Sequence, residues 1–212
     1  NEKGAGDKAL YQDLIKEMCK SREEQLLYHA LKNETFIYGI QMYDWMLEQA
    51  VKKFNELTEE QKKKAIEQMK KEIPDMTEDY IKSVTEHPEK LIINQQIMHM
   101  KTMRQVLLII NTPYEDFNKE MKIIEAKLKK SPAIETVMVL NLLSVISKTY
   151  LQEARLDARL GAAEIGIANR IYKQKHGKFA DSISQLAPDI LPALPLDPFT
   201  GKDYIYRKTD KG

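Results

Sequence analysis

The chain has almost no cysteine. Cys19 stands alone, which excludes an intramolecular disulfide and any zinc site built from several cysteines. Long apolar runs are missing too: no stretch reaches the ~18 apolar residues that a bilayer-spanning helix needs. Neither sign of charge dominates, since the formal net charge is +1, so no global basic field invites nucleic acid or an anionic membrane. Glycine and proline are scarce at 8 each, and much of the proline is late in the chain or at helix borders. No Gly-rich phosphate loop, no Gly-x-Ser-x-Gly elbow and no His-Glu-x-x-His pair occurs.

What is present is a folding composition. Hydrophobic residues make up 42% and charged residues 31% of 212, which excludes a disordered chain and gives a core of useful size. That length fits one domain, or one domain with a small appendage. The chain begins at Asn1 rather than Met, so a removed signal or anchor upstream stays open.

Apolar spacing is helical along most of the sequence. Leu10, Tyr11, Leu14, Ile15 and Met18 share one face, and a second pattern runs from about Glu24 to Phe54 with a break near Asn33. Thr58-Glu59-Glu60-Gln61 reads as a capping box, and Thr77 as the cap of a short helix. Pro88 opens a longer helix to about Ile110, and Thr112-Pro113-Tyr114-Glu115 starts the next with Thr112 as its cap. From Ser131-Pro132 the pattern continues to about Lys175, roughly 65 Å if unbroken. Helices of that length are rare in small domains, so a kink or break is expected between Tyr150 and Gly161. Ala154, Ala158, Gly161, Ala162, Ala163, Gly166 and Ala168 form a small-residue stretch suited to close packing.

After Gly177, which suits a helix C-cap, the texture changes. Asp181 or Ser182 can cap a short helix ending at Leu186. Pro192, Pro195 and Pro198 then impose extended backbone. Asp197-Pro198-Phe199-Thr200-Gly201 reads as a tight turn, and Asp203 to Arg207 alternates as a short strand. The fold class is therefore mostly all-α: an irregular multi-helix bundle or array with one long C-terminal helix and a small extended or β-hairpin tail. Residues 1–176 form the helical domain, and 177–212 a proline-rich tail packed on it.

Reactive constellations do not emerge. His29 and His99 lie in helical patterns and are expected to be packed or at the surface. His176 complements a helix C-terminus. Glu153 and Asp157 alternate with Arg155 and Arg159 as a solvated charge ladder, not as an acid–base pair. Lys62-Lys63-Lys64 is a solvated face, and Met98 and Met103 are core positions. Phe36, Tyr38, Tyr43 and Trp45 are the densest aromatic cluster. Core anchoring is their expected role, and exposure of several would make them the candidate docking surface.

The tail resembles the C-terminal part of pseudopilins and type II secretion protein G-like proteins. The matching residues are Tyr172, Gly177, Phe179, Ser182, Leu186, Leu194, Pro195, Asp197, Pro198, Gly201, Tyr204 and Tyr206, within about 165–207, with Ala180 where that family usually has proline. No prepilin leader or N-terminal hydrophobic helix is present. The helical body followed by this tail resembles extracytoplasmic proteins of planctomycete-like bacteria whose role is not established. The resemblance implies a bacterial envelope or periplasmic location. It implies a non-catalytic scaffold or protein-interaction module, linked to secretion or pseudopilus-like systems, with a protein partner. No cofactor, metal or nucleic acid is expected, and the calcium loop of pseudopilins is not carried over. The alternatives are a helical protein that binds an apolar small ligand between Met- and aromatic-lined helices, or an enzyme of unrecognised type.

Overall fold

The computed structural model describes residues 12–18, 26–33, 39–72, 77–131 and 133–209. Leu10, Tyr11, Cys19, Phe36 and Tyr38 lie outside them. The described residues are mostly helical and include no named strand. Helix α1 covers 12–18; then come α2 (Leu26–Asn33), α3 (Ile40–Glu56), α4 (Glu59–Glu72), α5 (Glu78–Glu86), α6 (Pro88–Ile109), α7 (Tyr114–Leu128) and α8 (Ala133–His176), followed by a 3-10 turn at Ile183–Leu186.

Local chemistry sets the helix starts. The Thr58 amide donates to Gln61 Oε1 at 2.9 Å and the Gln61 amide to Thr58 Oγ1 at 3.3 Å, which closes the capping box. The Tyr80 amide donates to Thr77 Oγ1 at 3.2 Å. At the start of α7 the Tyr114 and Glu115 amides donate to the backbone carbonyls of Pro198 and Phe199, at 2.9 and 3.0 Å.

The chain divides into two compact units. One comprises Leu27–Asn111 and Phe117–Lys148; the other comprises Asn1–Leu26, Thr112–Asp116 and Thr149–Gly212. In the first, α6 packs against α3 and α5. Its core includes Tyr43, Met103, Val106, Phe117, Met121, Val139 and Leu143, while Met98 is half-buried. Glu135 ties this unit's polar rim, accepting from the Tyr80 hydroxyl and from Asn94 Nδ2, both at 2.9 Å. Burial, then that hydrogen bond to Glu135, pushes the Tyr80 phenol well above its ordinary pKa.

The expected break in α8 does not occur; the helix is continuous over 44 residues. Its buried positions include Thr136, Val139, Leu143, Ile146, Ala154, Gly161, Ile165 and Ala168, spaced by three, four or sums of these straight through the small-residue stretch. No proline interrupts it, and a helical glycine costs only about 1 kcal/mol relative to alanine. Gly161 provides the close approach expected of the small-residue stretch. A Cβ there would lie 2.5 Å from the Tyr204 hydroxyl oxygen, so the missing side chain makes room for that ring.

In the second unit, Ile15, Ile165, Ala168 and Ile171 form one core with Ala180, Ile183, Leu186 and Leu191 of the tail. Two tyrosines and an asparagine fasten it. Tyr204 donates to the Ala158 carbonyl at 3.1 Å. Tyr206 donates to the Ala180 carbonyl at 2.8 Å and accepts from Asn169 Nδ2 at 2.9 Å, while Asn169 Oδ1 accepts from the Ala180 amide at 3.0 Å. The expected strand at 203–207 reduces to one antiparallel bridge between Leu196 and Asp203. The tyrosines on one side of that segment bond to α8 and Ala180, and Ile205 between them is 89% exposed.

Candidate functional site

The aromatic cluster splits. Tyr43 is buried at 1% exposure, whereas Trp45, two residues along α3, is 61% exposed. Two residues turn a helix by about 200°, so both cannot face one core. Next to them lies an open groove of about 580 Å³, lined by Gly39, Gln41, Met42, Tyr43, Trp45, His99, Met138, Asn141, Leu142 and Val145. That volume is within the roughly 300–1,000 Å³ range of small-ligand sites. Among the described residues, none that lines it is Asp, Glu, Lys or Arg.

Three helices supply the lining. Met42, Tyr43 and Trp45 come from α3, His99 from α6, and Met138, Asn141, Leu142 and Val145 from α8. Met138, Leu142 and Val145 recur at i, i+4, i+7, one position behind the core stripe Val139, Leu143 and Ile146. The helix is thus apolar over a wider arc than its core needs. That second stripe is the signal of the groove that the sequence carries.

His99 is 4% exposed, and its ring lies 5.4 Å from that of Tyr43, centroid to centroid. Its Nε2 is buried without a hydrogen-bond partner among the described residues. Burial lowers the imidazole's pKa from its ordinary value and raises that of the Tyr43 phenol.

The remaining histidines stay apart from this site. His29 is exposed beside Tyr28, His87 pairs with Glu89 at 3.2 Å, and His176 lies against Tyr172 at the end of α8. Arg155 and Arg159 are exposed, and Glu153 and Asp157 are half-buried near Tyr150. The Tyr150 phenol is pushed up to about 12, first by burial and then by those carboxylates, and it donates to the Thr112 carbonyl. Among the described residues no group of three or more His, Cys, Asp or Glu is placed to hold a metal ion, and no helix is long and apolar enough to cross a membrane.

The tail residues gather around the turn and the end of α8. Gly177 takes a left-handed φ of 75° and donates its amide to the Lys173 carbonyl at 2.8 Å. The Lys173 ammonium sits 4.2 Å from the centroid of the Phe179 ring. Asp197 builds the turn: its carboxylate accepts from the Phe199 amide at 3.0 Å and the Thr200 hydroxyl at 3.2 Å, and its carbonyl from the Gly201 amide at 2.7 Å. Asp181 accepts from Lys208 at 2.6 Å and Lys178 at 3.0 Å, and these bonds hold its carboxyl down at about 2. Each of these bonds lies within the tail or joins it to α8, so they account for its path. Comparison with protein-family models, curated proteins and solved structures finds no match.

Proposed function

We propose that this protein is a non-catalytic helical binding module of the bacterial cell envelope that holds an apolar ligand in the Trp45 groove. The observation that carries the reading is the lining of that groove: uncharged and largely apolar among the described residues, and open beside an exposed tryptophan. Burying apolar surface contributes roughly 25 cal/mol per Å², and a preformed groove pays little ordering entropy to collect it.

Nile red, a neutral solvatochromic dye, is expected to bind with a blue shift and one-to-one stoichiometry. Val145 is 59% exposed, so Val145→Lys should leave stability within about 0.5 kcal/mol. The ammonium at the groove mouth should weaken dye binding at least about tenfold. Unchanged binding in that variant, with an unchanged melting curve, would remove the groove from the reading.

The envelope location rests on the resemblance of the tail to pseudopilin C-terminal segments. The same resemblance supports a second reading, a protein-interaction scaffold linked to secretion or pseudopilus-like systems. Location has its own test. A reporter enzyme that works only after disulfide oxidation, fused behind the protein and expressed from the natural gene in its own host, is expected to be active. A full-length but inactive fusion counts against both envelope readings.

A further inference from the structure

His99 places an unsatisfied polar atom at an otherwise apolar site. Buried nitrogen and oxygen atoms are nearly always paired, because one left unpaired forfeits its hydration with nothing in return. Nε2 has no partner among the described residues, and the side chain that carries it lines the groove. No charged group among the described residues lines the site with it, so an ionised ligand group would lose its water there without gaining a counter-charge from them. Burial disfavours the imidazolium, so the ring is neutral near pH 7.

A neutral imidazole nitrogen is a donor or an acceptor according to tautomer, and a hydroxyl group can answer either. Met42 and Met138 line the same groove. Both are unbranched thioethers, the side chains that repack most readily, so the groove that His99 lines can reshape around a ligand by moving side chains alone.

Building on the groove as a ligand site, we propose that its occupant is a neutral apolar molecule with one hydroxyl group, a long-chain alcohol or a phenol, whose hydroxyl hydrogen-bonds His99 Nε2. The apolar body lies along Trp45, Leu142 and Val145. The hydroxyl satisfies the one buried groove atom that lacks a partner among the described residues.

Trp45 is the only tryptophan, so its emission reports on the groove directly. Three matched probes separate the contributions: 1-octanol, its apolar isostere 1-chlorooctane, and octanoate. The wild-type protein should bind 1-octanol at least about tenfold more tightly than either of the others. In His99→Phe that preference should shrink to about twofold or less with 1-chlorooctane binding retained, and His99→Gln should restore part of it. The wild-type series does not depend on how any variant folds. Equal binding of 1-octanol and 1-chlorooctane, or a preference that survives His99→Phe, overturns the His99 anchor and leaves the groove standing as a plain apolar site. Tightest binding of octanoate overturns the neutral class. Silence toward all three probes and toward Nile red removes the groove reading as well.

Discussion

Leu186→Ala is expected to lower the stability of the tail-bearing unit by about 3 kcal/mol, from a usual range of roughly 2–5 kcal/mol for a buried leucine. Leu186 has no exposed surface and belongs to the core that Ile165, Ala168 and Ile171 form with the tail. Its 3-10 turn is held by backbone bonds on both sides: the Gln185 amide donates to the Ser182 carbonyl, and the Ile190 and Leu191 amides donate to the Leu186 carbonyl. The backbone has little freedom to collapse into the cavity, which puts the loss in the middle of the range or above. Ending the chain at His176 should be more damaging still. It removes Ile183, Leu186 and Leu191 together and uncovers the α8 residues beneath them. Urea unfolding followed by far-ultraviolet circular dichroism measures both changes. A shift below about 0.5 kcal/mol for Leu186→Ala, the size of an ordinary surface substitution, would show that the tail contributes little to stability.

Gly201→Ala should cost about 2–4 kcal/mol, and Gly177→Ala only about 1–2 kcal/mol, although both glycines have left-handed backbone. At Gly201, with φ of 70°, a Cβ would also lie 2.7 Å from Pro113 Cγ. Neither a proline ring nor a turn held by Asp197 can step aside easily. At Gly177, with φ of 75°, the Cβ would meet open space, so only the conformational cost applies. The difference between the two substitutions isolates the Pro113 contact from backbone strain. Equal losses in chemical denaturation would mean that the turn shifts freely and that the contact is soft.

Much of the fold was legible because it is written in local chemistry. The caps at Thr58 and Thr77, the stop at Gly177 and the turn at Asp197 need only neighbouring residues, and each lies where its side chains imply. What local chemistry does not name is the distant partner. The small-residue stretch announces a close approach at Gly161, but not that Tyr204, 43 residues later, makes it. Nothing near Tyr114 and Glu115 announces that Pro198 and Phe199 supply acceptors for their amides.

The groove was half legible. The aromatic cluster named its α3 wall through Tyr43 and Trp45. The α8 wall came from a second apolar stripe that periodicity alone assigns to the core. His99 carried no signal, because a histidine in a helical pattern looks the same whether its ring nitrogen is paired or not. Asn169, which fastens Ala180 and Tyr206, was equally silent: one amide on a helix says nothing until the partner segment arrives.

The start of α7 is secured by two carbonyls of the peptide backbone, and this has a consequence for genetics. An alanine scan changes side chains and leaves those carbonyls in place, so single substitutions at Pro198 or Phe199 can pass as mild while the bonds to Tyr114 and Glu115 persist. The attachment is encoded in the path of the chain and not in any one residue's identity. Sequences could drift at both positions and keep it, while a one-residue insertion or deletion in the turn would abolish it at once.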